Sequence, residues 1–170
     1  AKSHGVPVFE DECYSDLIWS GERPPALHAL DDEGMVIHCG SFSKCTAPAL
    51  RVGYLVANWP ILSRLLSVKR DAGSGALEQM ALAEYCAGRF DDHVARLNRT
   101  LEGKLDTLID ALNESFGSVV EFSRPPGGIF LWVRLPEGVD TSRLAIVAGE
   151  KGVAVNPGAE WSRGGNSNRW

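Results

Sequence analysis

Short apolar runs and one long helical stripe give this chain two textures. The runs come first: "VPVFEDE" at residues 6–12 starts apolar and turns acidic, "MVIHCG" at 35–40 is apolar almost throughout, and "GYLVAN" at 53–58 repeats that texture. Continuous apolar runs of this length, separated by turn-rich pieces such as "SGERPP", predict buried strands of the kind found in parallel sheets. Pro60 suits the first turn of a helix that continues through "ILSRLLSVKR". Ser74 is the candidate cap of a second helix, "GALEQMALAEYC", and the "GSG" before it reads as a linker because it lacks the surroundings of a phosphate-binding loop. A third helix is the plainest: Val94, Leu97, Leu101, Leu105, Leu108, Leu112 and Phe116 recur at steps of three and four, laying one apolar stripe that belongs in a core.

Beyond Gly117 the pattern shortens again. "VVEF", "IFLWVRLP" and "VAVNPGAEW", with a helix over about residues 141–151, predict two strands, a helix and a third strand in a small α/β layer. The change of texture places a domain boundary inside the long helix, giving domains 1–90 and 91–170. Phe130 and Trp132 alternate along their strand, a pattern that fits a core at least as well as a ligand-facing segment. His38 reads as a histidine satisfied within its strand rather than a catalyst.

Composition narrows the classes. The 170 residues suit one ordinary domain, which buries roughly 70% of its unfolded surface. A net charge of -5 argues against a nucleic-acid partner for this part. Cys13, Cys39, Cys45 and Cys86 show no Cys-x-x-Cys spacing and are not grouped with His4, His28, His38 or His93, so neither a metal site nor a disulfide framework is expected. No signal peptide or membrane-spanning run is evident, which makes the cytoplasm the expected location. The chain begins "AKSHG" without methionine, which reads like the end of a helix and suggests a cut.

One segment changes the picture. "SFSKCTAPALRVGY", residues 41–54, follows the strand "MVIHCG", and strands of open α/β sheets deliver ligand-binding residues to their carboxyl edge. A lysine amine such as Lys44 can condense with an aldehyde to form a Schiff base if its surroundings leave it neutral often enough to react. Arg51 offers a planar fork for a phosphate, and Ser41 and Ser43 add hydroxyl donors. A carboxylate at Asp11, on the tip of a neighbouring strand, would keep a pyridine nitrogen protonated, and the Tyr14 phenol would donate to a ring oxygen. An aldehyde and a phosphate on one small molecule suggest pyridoxal 5'-phosphate.

The segments "EDECYSDL", "SFSKCTAPALRVGY" and "PPGGIFLWVRLP", in this order, resemble the fold type I pyridoxal-phosphate-dependent aminotransferases, especially the group with 2-aminoadipate and aromatic aminotransferases. The resemblance runs along essentially the whole chain. It implies an α/β architecture: the C-terminal part of a large mixed-sheet cofactor domain, followed by a small, incomplete C-terminal α/β domain. It implies that Lys44 forms the Schiff base and moves the substrate proton, Asp11 pairs with the pyridine nitrogen, Tyr14 bonds the ring oxygen, and Ser41, Ser43 and Arg51 hold the phosphate. Ala49 stands where the family usually has glycine, which bears on the local turn.

The expected reaction is transfer of an α-amino group from an amino acid to a 2-oxo acid, in an enzyme that is a homodimer when complete. The same residues also serve carbon–sulfur lyases on this fold and the aminotransferase-like sensor domain of GntR/MocR-type transcription regulators. By the same resemblance the chain is expected to be a C-terminal half cut at both ends, inactive and poorly folding alone. The arginine for the substrate carboxylate is expected just beyond Trp170, with Arg169 in its approach. Substrate side-chain specificity is not legible.

Overall fold

The computed structural model describes residues 1–71, 73–162, 167, 169 and 170. They form two compact units that divide within one helix: the first is residues 1–101 with Pro126–Gly128, the second residues 102–125 and 129–170.

The first unit is built on a three-stranded sheet in the order β1 (Val8–Asp11), β2 (Val36–Ser41), β3 (Gly53–Val56). β1 and β2 run parallel, with Asp11 opposite Cys39, so both carboxyl ends reach the same edge. β3 returns antiparallel and sets Tyr54 opposite Gly40. A side chain at Gly40 would collide with the Tyr54 ring, so glycine is what lets the ring lie on β2. The core of this unit holds Leu17, Val36, Cys45, Val52 and Leu82.

Helix α1 (Trp59–Val68) carries Pro60 in its first turn, as expected, and Asn58 caps it by accepting from Ile61 N at 3.2 Å. Helix α2 (Ala76–Phe116) is a single helix of 41 residues where the sequence reading expects two. Gly88 interrupts the apolar pattern but costs a helix only about 1 kcal/mol, too little to break one flanked by good helix formers. Ser74 lies two residues ahead of the helix and is not its cap; its carbonyl instead accepts from Gln79 Nε2 at 2.9 Å. The stripe is less buried than its periodicity suggests: Leu105 is buried, but Phe116 is 51% exposed and Leu108 is exposed too.

β3 also departs from expectation. Its four residues are all exposed, and the strand lies at the edge of the sheet. Trp59 at 68% exposure and Leu77 at 78% extend the uncovered apolar surface of this unit.

In the second unit, β4 (Glu121–Phe122) pairs antiparallel with β5 (Val133–Arg134), and α3 (Thr141–Glu150) is capped by Asp140, which accepts from Ser142 N and Arg143 N. The predicted third strand does not form among the described residues: 153–157 have no ladder partner there and lead into a 3-10 turn at Gly158–Trp161. Phe130 and Trp132 lie ahead of β5, exposed rather than in the core, with their rings against Trp161 and Trp170 respectively.

Candidate functional site

The parallel pairing of β1 and β2 is what assembles the site, because it delivers Asp11 and Ser41 to one edge and starts the Ser43–Lys44 turn there. That turn has local causes. Thr46 N and Ala47 N both donate to Phe42 O, at 2.9 and 3.1 Å, and the buried Cys45 thiol donates to Ser41 O at 3.6 Å. Cys45 thus anchors the turn inward while its neighbour Lys44 stands exposed. Lys44 Nζ lies 5.7 Å from the centre of the Tyr14 ring, within cation–π range.

Asp11 accepts from Cys13 N at 3.0 Å. Hydrogen bonds from the Cys13 side chain and backbone hold the Asp11 carboxyl below the usual carboxylate range, and slight burial opposes them weakly. The same contact, followed by burial, pushes the Cys13 thiol up to about 11. An ionised carboxylate at a strand tip is the group that a protonated ring nitrogen requires.

Ser41, Ser43 and Arg51 make a second cluster. Ser41 Oγ accepts from Ser43 N at 3.1 Å, and Arg51 Nη1 donates to Ser43 Oγ at 3.4 Å and to Pro48 O at 3.3 Å. Arg51 adopts a left-handed backbone, with φ 51° and ψ 42°, as no other non-glycine residue does among those described. That conformation costs a bulky residue about 1 kcal/mol and recurs where strain serves ligand binding. Ala49 sits in the preceding 3-10 turn, Pro48–Leu50, and has no positive φ, so alanine meets no penalty there.

A cavity of about 360 Å³ opens beside Asp11 and Tyr14, bounded further by Glu12, Leu17, Ile18 and Pro126–Gly128. The "PPGG" segment reaches it by pairing with the chain after Tyr14: Gly128 N donates to Leu17 O at 2.7 Å and Trp19 N to Pro126 O at 3.0 Å. A side chain at Gly127 would strike the Leu17 carbonyl, which explains glycine there.

Sequence reasoning thus named the residues at the edge but missed those behind it. Glu10 is buried against the Leu27–Leu30 turn and His38 of β2; Oε1 accepts from Leu27 N at 2.5 Å, and Oε2 from His28 N at 3.1 Å and His38 Nδ1 at 3.0 Å. Burial alone would raise its carboxyl, but the bond from His38 and the two from backbone together hold it below the usual range. His38 is therefore satisfied, as expected. Arg23 and Asn98, which brace the chain around Tyr14, carry no sequence signal. Arg169, in the second unit, places Nη1 3.6 Å from Glu137, and its buried Nε has no partner among the described residues.

The fit to a pyridoxal phosphate rests on this donor set: a lysine amine, a phenol, an ionised carboxylate, two hydroxyls and a strained arginine. Comparisons with known proteins agree. The model of the aminotransferase class I and II family matches residues 1–165. HTH-type transcriptional regulator YisV of Bacillus subtilis (strain 168) is 35% identical over 93% of this chain, and aromatic-amino-acid aminotransferase 1 of Thermococcus litoralis is 34% identical over 93%. The chain spans only 33% and 39% of their respective lengths. The crystal structure of Pyrococcus horikoshii kynurenine aminotransferase, in complex with PMP, superposes with a TM-score of 0.89 at 31% identity, over 99% of this chain and 43% of that one. With an α/β unit whose strand edge carries Asp11, Tyr14 and Lys44, this chain belongs to the class I and II aminotransferases and has the architecture of fold type I.

Proposed function

We propose that this chain supplies the cofactor-holding and proton-moving residues of a pyridoxal-phosphate-dependent aminotransferase, which passes an α-amino group from an amino acid to a 2-oxo acid. The observation that carries the reading is the shared carboxyl edge of β1 and β2, which sets Asp11, Tyr14 and Lys44 together with a left-handed Arg51 close behind. Pyridoxal phosphate supplies an aldehyde carbon that captures amines and a ring that accepts electrons from the substrate α-carbon. Lys44 Nζ tethers the cofactor and takes the proton from the substrate α-carbon. Asp11 holds a proton on the ring nitrogen, Tyr14 Oη donates to the ring oxygen, and Ser41, Ser43 and Arg51 bind the phosphate. In the same reading the complete protein is a cytoplasmic homodimer and these 170 residues alone are inactive, a view supported by the uncovered apolar surface around β3, Trp59 and Leu77.

The test is the visible spectrum of the complete protein with added pyridoxal phosphate, followed by borohydride reduction and peptide mass mapping. Cofactor fixed to Lys44 is expected, and a folded protein that fixes none there would sink the reading. Turnover is expected to need a 2-oxo acid acceptor; turnover of an amino acid without one would indicate a lyase instead.

A second reading has its own support, since YisV, a transcriptional regulator, resembles this chain as closely as the aminotransferase does. In that case the same residues hold the cofactor as a sensor. Cofactor fixed to Lys44 with no amino-group transfer to any 2-oxo acid would favour it.

A further inference from the structure

The chain just after Asp11 is braced more heavily than a surface turn needs. Tyr14 sits inside it. Within the turn, Ser15 Oγ donates to Glu12 O at 2.9 Å and Leu17 N to Tyr14 O at 3.0 Å. Leu17, only 1% exposed, drives its side chain into the core as an anchor.

Two side chains from elsewhere close on this turn. Asn98, on α2, donates through Nδ2 to the carbonyl oxygens of Asp16 and Ile18, both at 2.9 Å. Arg23, from the loop after the turn, donates through Nη1 to Asp16 at 2.9 Å and through Nη2 to Glu12 at 2.5 Å. Glu12 and Asp16 stand two residues to either side of Tyr14, so the planar guanidinium spans the phenol's attachment point.

The Asn98 geometry is costly in a telling way. Its Oδ1 is buried and has no hydrogen-bond partner among the described residues, and a buried acceptor left unpaired is unfavourable. An amide is retained there for its two N–H groups, which satisfy two carbonyls with one nitrogen. Flipping it would aim an oxygen at both carbonyls, so the side chain has one acceptable orientation.

We propose that Asn98 and Arg23 are positioning residues for Tyr14, fixing the 12–18 turn from the helix side and the loop side so that the phenol is held beside Lys44. The proposal rests on the cofactor role of Tyr14 given above. Neither residue belongs to the donor set assigned to the cofactor; each acts through the backbone and carboxylates of the turn. A phenol fixed in place donates a stronger hydrogen bond to the ring oxygen, which favours the form of the cofactor with that oxygen anionic.

The experiment is a pH titration of the visible absorbance in the complete, cofactor-loaded protein. Tyr14→Phe is expected to raise the apparent pKa of the band by removing the donor. Asn98→Leu is expected to raise it by a smaller amount, about half a unit, and to weaken cofactor binding by about threefold to tenfold. In a Tyr14→Phe background the Asn98→Leu shift is expected to vanish. Arg23→Lys keeps the charge but loses the fork, and is expected to reproduce the shift in milder form, which covers the case where Asn98→Leu does not fold.

A Tyr14→Phe shift with no Asn98→Leu or Arg23→Lys shift would overturn the proposal while leaving the cofactor role intact. An Asn98→Leu shift that persists in full in the Tyr14→Phe background would overturn it as well, because the path would not run through the phenol. No change on Tyr14→Phe itself would remove the role assigned to Tyr14 and the proposal with it, even with cofactor fixed to Lys44.

Discussion

The two faces of the β1–β2 pair differ although their residues alternate along the same strands. Glu10, His38 and Gly40 face inward; Glu10 is bonded by three donors, and Gly40 makes room for Tyr54. Asp11, Cys39 and Ser41, one step along, face outward and are partly or fully exposed. Strand periodicity puts chemistry and cohesion on opposite sides of one sheet. One face is satisfied by the protein's own donors, and the other carries residues proposed to hold the cofactor.

The largest expected effect lies on the open face. Lys44→Ala in the complete protein should lower amino transfer by at least the ~10²–10⁴-fold that a positioned proton-transfer group contributes, with further loss from the missing tether. The unfolding midpoint should hardly move, because Lys44 is exposed. Steady-state turnover and a thermal melt on the same sample check both halves, and near-normal turnover would remove Lys44 from the mechanism.

The closed face should show the reverse. Glu10→Ala strands His38 and two backbone N–H groups without an acceptor, and should lower the unfolding midpoint by about 5 °C or more. Asp11→Asn, one residue along, should leave the midpoint nearly unchanged and the cofactor bound, yet slow proton abstraction. Equal losses of midpoint in the two variants would erase the distinction between the faces.

How much of this was legible beforehand follows from the physics of each part. β1, β2, α1 and α3 were readable because period and capping are local properties. The candidate site residues stand out in the sequence because Lys44, the hydroxyls and Arg51 lie within one short segment. The exposure of β3, Leu108 and Phe116 was not, since periodicity says which residues share a face and not whether anything covers it. Continuity of α2 through Gly88 was missed because a single glycine weakens a helix without ending it. Glu10 was invisible because a carboxylate inside an apolar strand is explained only by His38, 28 residues away. Asn98 reaches Asp16 across 82 residues, and no local rule spans that distance.

Arg51 sharpens the comparison through opposite signs in one variant. Its left-handed backbone is a conformation that glycine adopts without strain, so Arg51→Gly should relieve about 1 kcal/mol of local cost, partly offset by the greater freedom of glycine in the unfolded chain. Stability should therefore stay level or rise slightly. Cofactor retention should fall at the same time, because the guanidinium beside Ser43 is gone. Equilibrium dialysis of the cofactor together with denaturant unfolding separates the two, and a loss of stability would mean that Arg51 is held by packing rather than kept for a ligand.

The smallest effects are pH dependences, and the open face carries both signs. The Glu10 and Asp11 carboxyls are both held below their unfolded values, so each contributes stability that is present above about pH 4 and lost as pH falls through the folded values. Cys13, on the open side, works in the other direction. Its thiol is raised to about 11 by the hydrogen bond to Asp11 and by burial, so the folded state keeps a proton that the unfolded chain gives up near pH 9. Its contribution is complete below about pH 9 and fades as pH rises toward 11. Unfolding midpoints measured from pH 8 to 11 should therefore decline less steeply in Cys13→Ser, whose hydroxyl can still donate to Asp11 but does not ionise in that range. An identical alkaline decline in both proteins would show that the thiol does not bond Asp11, and the depressed Asp11 carboxyl would then depend on the Cys13 backbone N–H alone.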